Sequence, residues 1–276
     1  MAFSSPGQKT IDYGERGTVV VVKDGDDLAA TAAETLISTI AAAAAEDRDA
    51  LVALSGGSTP KKMGALLRTP EYANRVHWDR LQAFWGDERW VSIEDPESNA
   101  GEALRGFLEH VPIPAENVHP WETDPGNSGI GGDPAASAER YERLIREIGS
   151  VTTGGEDGVP RFDLIFLGMG DDGHTLSLFP HTAAVHEHAR LAIENEVPKL
   201  NTTRLTFTPT LANAAGLAVF LLSGAGKAER LHQVLDGPIQ IDETPCQVIR
   251  PTAGDLIWLV DEAAASQLER TPIDGE

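Results

Sequence analysis

The chain has 276 residues, and 22 Lys+Arg against 43 Asp+Glu give a formal charge of −21, which opposes nonspecific contact with nucleic-acid phosphates or anionic lipid. Its one cysteine, Cys246, excludes an internal disulfide and any thiolate zinc cluster. With 41% hydrophobic residues it can bury a large core, and its length suits one large α/β domain.

No apolar run approaches the ~18 residues of a bilayer span, and the opening MAFSSPGQKTIDYGERG has neither a basic n-region nor an apolar h-region. A cytoplasmic protein is expected. In chain order, TVVVVK at 18–23 reads as the first strand. Asp26 and Asp27 then stand where they can cap a helix with apolar positions at Leu28, Ala32, Leu36, Ile37, Ile40 and Ala44. ALVAL at 50–54, LQAFW at 81–85, FDLIFL at 162–167, LAVFLL at 217–222 and LIWLV at 256–260 are further strands, too short and apolar for surface helices. Helices are expected over 61–68, 99–110, 135–149 and 225–236.

This alternation is the signature of βαβ units: an α/β fold with a mostly parallel sheet and helices on both faces. The Gly-rich stretches at 122–134 and 150–160 read as loops. They are not domain linkers, because the helix between them carries Tyr141, Leu144, Ile145 and Ile148 on one face and needs the sheet to cover it. A single domain over 1–276 with short flexible tails is the simpler organisation.

In open parallel sheets ligands bind beyond the carboxyl ends of the strands, and four strands here run into unusual polar loops. ALVAL leads into Ser55, Gly56, Gly57, Ser58, Thr59 and Pro60. The proline suits the first turn of a helix whose free N–H groups would face the loop, a geometry that binds phosphate. Alone, the same residues are equally a tight strand-to-helix turn. They lack the spacing of a nucleotide P-loop. Arg89 follows LQAFW-Gly86-Asp87-Glu88, and Lys227 follows LAVFLL-Ser223-Gly224-Ala225-Gly226. Both cations can focus a phosphate that the overall field repels. The competing readings are an ion pair with Asp87 or Glu88 for Arg89 and a solvated first-turn residue for Lys227.

His174 follows Gly170-Asp171-Asp172-Gly173, which places it on a tight turn with an aspartate beside it. Histidine is the usual general base near neutral pH; the alternative is a structural histidine bonded to a carbonyl. Grouping it with His181, His186 and His188 as a metal site finds no support in the spacing. Trp78, Trp85, Trp90 and Trp258 are explained by packing, and Asn99 by capping of a helix.

LSGGSTP at 54–60, FWGDERWV at 84–91, SN at 98–99, DLIFLGMGDDGHTLSLFPHT at 163–182 and LSGAGKAE at 222–229 together resemble the 6-phosphogluconolactonase family, whose superfamily also holds glucosamine-6-phosphate deaminase. The resemblance spans roughly residues 18–260. It implies a Rossmann-like fold, no organic cofactor or metal, and hydrolysis of 6-phospho-D-glucono-1,5-lactone in the oxidative pentose phosphate pathway. By position it puts the sugar phosphate on Gly56, Gly57, Ser58 and Thr59 with Arg89 and Lys227, adds Ser55 and Asp87 to the substrate-binding residues, and makes His174 the base with Asp172 as its orienter.

The deaminase loop typically reads DGHIAFNEP, with a glutamate supporting the histidine; here Leu178 and Phe179 fill the Asn-Glu positions. Leu176 departs from the lactonase pattern, where alanine is common. The expected partner is therefore a phosphosugar lactone, with no nucleic acid and no membrane. The alternatives are a phosphosugar deaminase or isomerase, and a noncatalytic sugar-phosphate sensor, against which the intact Asp172-Gly173-His174 run argues. No pattern in the chain specifies an oligomeric state.

Overall fold

The computed structural model describes residues 9–125, 132–152, 158–270 and 273–274. The first half of the chain contributes strands β1 (Lys9–Asp12), β2 (Thr18–Val22), β3 (Ala50–Leu54), β4 (Leu81–Trp85), β5 (Asp87–Arg89) and β6 (Val118–His119), with helices α1 (Gly25–Ala45), α2 (Ser58–Leu67), α3 (Pro70–Ala73) and α4 (Asn99–Gly106). The second half contributes α5 (Pro134–Thr152), β7 (Leu164–Leu167), β8 (Ala192–Val197), β9 (Thr202–Phe207), α6 (Pro209–Asn213), β10 (Leu217–Leu222), α7 (Ala228–Leu235), β11 (Asp255–Asp261) and β12 (Ile273–Asp274).

The main sheet has the order β12-β1-β2-β11-β10-β7-β3-β4-β6. Every pair from β2 through β6 is parallel, and only β1 runs antiparallel to its neighbours. All residues of β3, β4 and β7 are buried, so both faces of the central sheet are covered, as its near-continuous apolar strands require. Helix α1 lies against β2, β3 and β11, and α5 against β3. From β3 the chain grows outward through β4 and β6, whereas β7, β10 and β11 grow the other way. The crevice between the carboxyl ends of β3 and β7 is therefore the switch point at which such sheets bind ligands.

A second sheet, β5-β9-β8, is antiparallel and was not foreseen. Gly86 joins it to the main sheet, with its N–H on Leu54 O (3.1 Å) and its carbonyl receiving Phe207 N (2.8 Å).

The structure revises several local expectations. Asp24, not Asp26 or Asp27, caps α1, accepting from the N–H groups of both (3.0 and 3.1 Å). Helix α1 is also long and apolar enough to cross a membrane by length and composition, contrary to the absence of such a run expected from the sequence. Leu28, Ala32, Leu36 and Ile40 are fully buried, so its apolarity serves the core. The helix expected over 99–110 breaks at Phe107 and ends in a 3-10 turn, Leu108–His110. That expected over 225–236 is a 3-10 turn followed by α7. Helix α5 runs to Thr152, into the stretch expected to be a loop from 150. The remainders of both expected loops, at 126–131 and 153–157, and the tails at 1–8, 271–272 and 275–276 lie outside the described residues.

Candidate active site

The loops after β3 and β7 and the strands β5 and β9 enclose a cavity of about 390 Å³, within the range of small-ligand sites. Its wall includes Ser55, Gly56, Asp87, Arg89, Asn99 and His174, together with Asp172, Lys199 and Arg204.

After β3 the chain turns through Gly57, at φ 112°, into α2, which no side chain caps. Its first N–H groups are thus available to an anion. Gly56 is required for a different reason: a Cβ there would overlap Asn99 Oδ1. Ser55 Oγ is buried and has no hydrogen-bond partner among the described residues. Gly57 and Ser58 are exposed, Thr59 is turned into the core, and none of the three lines the cavity.

Asn99 does more than the capping expected of it. The cap of α4 is Ser98, whose Oγ accepts from Gly101 N. Asn99 is buried and donates through Nδ2 to Asp87 O (3.0 Å), which fixes the cavity wall between β5 and the glycine loop. Beneath it Glu88, 1% exposed, accepts from the N–H groups of Arg89, Asn99 and Ala100 (2.8, 2.7 and 2.8 Å) and from Ser98 Oγ (3.1 Å). Burial raises its carboxyl above the ordinary range while those N–H groups pull it back. Asp87 receives Ser177 Oγ at 2.7 Å.

The ion pair considered for Arg89 does not form. Glu88 holds the backbone of Arg89, and the guanidinium donates instead to Glu97 O (2.6 Å). Arg204, on β9, is the cationic residue of the cavity wall that the sequence reading missed. It pairs in register with Arg89. Burial and then the neighbouring Arg89 charge lower its pKa; a guanidinium nevertheless stays protonated. These two adjacent cations, without ion-pair partners among the described residues, give the cavity wall a positive charge of the kind an anion could engage. The cross-strand position of Arg204 was invisible without the second sheet. Lys227 lies off the cavity wall, paired with Asp171 at 2.6 Å.

The turn after β7 seats the imidazole. Gly173 has φ 80°, Gly170 N donates to His174 O (2.8 Å), and a Cβ on Gly170 would overlap His174 Nδ1. His174 Nδ1 lies 2.6 Å from Asp172 Oδ1. A carboxylate only accepts, so Nδ1 carries the proton, and in the neutral ring Nε2 then holds the lone pair. Asp172 Oδ2 meets Lys199 Nζ at 3.1 Å. Burial alone would raise the Asp172 carboxyl, but the hydrogen bond and charge of His174, with Lys199, bring it down to about 2.

Phe179 stacks on the imidazole, with centroids 4.1 Å apart and planes 24° apart. Leu176 is 8% exposed, lines the cavity, and holds a left-handed φ of 51° that a branched side chain rarely adopts.

His181 pairs with Glu243 (3.3 Å) and His186 with Asp242 (2.6 Å). Among the described residues no group of three or more His, Cys, Asp or Glu side chains is placed to hold a metal ion.

The chain is 37% identical to the 6-phosphogluconolactonase of Nostoc sp. over 251 residues, covering 91% of this chain and 98% of the relative. It is 39% identical to that of Synechocystis sp. over 229 residues, covering 83% and 89%. The solved 6-phosphogluconolactonase of Trypanosoma brucei superposes with a TM-score of 0.77 at 26% identity, over 91% of this chain and 98% of that one. The family model for glucosamine-6-phosphate isomerases/6-phosphogluconolactonase matches residues 23–258, a stretch holding Arg89, Arg204, the Asp172–His174 pair and Lys199, and the chain therefore belongs to that family.

Proposed function

We propose that this chain is a 6-phosphogluconolactonase and that His174 is its general base. The observation that carries this reading is the pairing of an oriented imidazole with an arginine clamp in one cavity. The phosphate of 6-phospho-D-glucono-1,5-lactone sits at Arg89 and Arg204, beside Ser55 and Gly56 on the cavity wall. This sets C1 beside His174.

Nε2 takes a proton from water as the oxygen attacks C1, and Asp172 stabilises the imidazolium. The tetrahedral intermediate expels the ring oxygen, to which His174 returns the proton. The new carboxylic acid then ionises, so each turnover releases one proton. An activated ester needs neither a covalent intermediate nor an organic cofactor for this step.

The deaminase reading is weaker because Phe179, an apolar ring, covers the face of His174 where ring opening and isomerisation call for a carboxylate. Two assays separate the readings. Purified protein should accelerate hydrolysis of freshly made 6-phosphogluconolactone above the spontaneous rate and release no ammonia from glucosamine 6-phosphate. Ammonia release without lactone hydrolysis would replace the reading with deamination; binding of either sugar without turnover would replace it with a sensor.

A further inference from the structure

Lys199 belongs to none of the sequence motifs, yet it touches the catalytic pair. It sits in the 3-10 turn Pro198–Leu200 between β8 and β9, on the wall between the main cavity and a neighbouring one of about 460 Å³. Its ammonium is 3.1 Å from Asp172 Oδ2, the oxygen that His174 leaves free.

Other charges approach the pair from each side. Lys227 and Arg230, at the start of α7, are bonded to Asp171, the first through its carboxylate at 2.6 Å and the second through its carbonyl at 2.9 Å. Asp87, Arg89 and Arg204 stand on the cavity wall contributed by β5 and β9. Behind the turn lies Cys246, whose Sγ is 3.6 Å from His174 O and whose thiol burial keeps neutral. His181 and Glu243 belong to the neighbouring cavity, paired with each other. Of these cations only Lys199 is bonded to the Asp172 carboxylate.

We propose that Lys199 is a positioning residue for the hydrolysis: it pins the carboxylate that orients His174, and its positive charge opposes that of an imidazolium. The proposal rests on His174 as base. A carboxylate beside a histidine by itself favours imidazolium, which would disable a base in mildly acidic solution. A cation on the far oxygen offsets that effect while leaving the Nδ1–H bond and the free Nε2 in place. The Lys199 side chain is 70% exposed, so solvent screens its influence and the effect is moderate.

The test compares Lys199→Met, which keeps length and loses charge, with Lys199→Arg, measuring kcat and KM for the phosphorylated lactone from acidic to neutral pH. The substrate phosphate titrates near 6 in every case and cancels from the comparison. Lys199→Met should raise the acidic-limb midpoint of kcat/KM by about half a pH unit, a rate loss of roughly threefold below it. Its KM should stay near the parental value, and Lys199→Arg should restore the parental profile.

A midpoint that stays in place or falls overturns the proposal; a raised KM with that unmoved midpoint makes Lys199 a substrate contact. His174→Ala, run alongside, keeps the two readings apart. If it hydrolyses like the parent, the base assignment fails whatever Lys199 does; if it is inactive while Lys199→Met is parental, only the proposal fails.

Discussion

Arg89 and Arg204 face each other across the β5–β9 ladder as register partners, two guanidiniums on one cavity wall in a chain of net charge −21. Like charges directly opposite destabilise a strand pair. In the proposed reading their pairing is a site that a dianion completes. Arg204→Met should therefore raise KM for the phosphorylated lactone about 10- to 100-fold, the equivalent of one charge-assisted contact, with a smaller change in kcat. With the unphosphorylated lactone parent and variant should behave alike. An equal loss on both lactones would place Arg204 at the reacting carbon instead.

The Asp172–His174 geometry depends on the missing side chain of Gly170. A Cβ there would overlap His174 Nδ1 and crowd Asp172 Oδ1 (2.9 Å). Gly170→Ala should lower kcat about 100-fold, the scale expected when a catalytic group is displaced by about 1 Å, with the circular dichroism spectrum unchanged. Near-parental turnover would show that the turn adjusts without moving the imidazole.

His119 couples stability to pH away from the site. It is buried against Phe84, its Nε2 is 2.7 Å from Gln82 Oε1, and burial lowers its pKa from 6.5 to about 4. For a base with a depressed folded pKa the stabilisation is fully present above 6.5 and is lost as pH falls from there through about 4. Urea unfolding of the parent should lose about 3 kcal/mol across that window from this residue, and His119→Gln should remove that part of the loss. Parallel stability curves for the two proteins would mean that His119 does not titrate in this range.

The central strands were legible because each is a short, mostly apolar run bounded by glycine or polar residues, and β3, β4 and β10 fall on the residues expected. The second sheet was not. Asp87-Glu88-Arg89 is charged throughout, and the burial of Glu88 rests on its accepting from the N–H groups of Asn99 and Ala100 in the first turn of α4, eleven to twelve residues away in sequence. Strand β8, AIENEV, alternates only weakly, with Asn195 facing inward to donate to Ser177 O (2.8 Å). In the site, His174, Asp172 and Arg89 stood in local motifs that tight turns explain. Arg204, Lys199 and Asn99 acquire their roles only through the second sheet and the α4 cap. Capping of α1 also differed from expectation, since Asp24 in extended backbone reaches the N–H groups of Asp26 and Asp27, which those residues cannot do for themselves.

The most direct test of the account is proton release from 6-phosphogluconolactone, followed at constant pH with parent, with His174→Ala and without protein. The account predicts acceleration well above the spontaneous rate for the parent and a return to nearly that rate for His174→Ala, with the phosphosugar still binding to the variant. Acceleration that survives the substitution would contradict His174 as the base, and a parent no faster than buffer would contradict the lactonase reading itself.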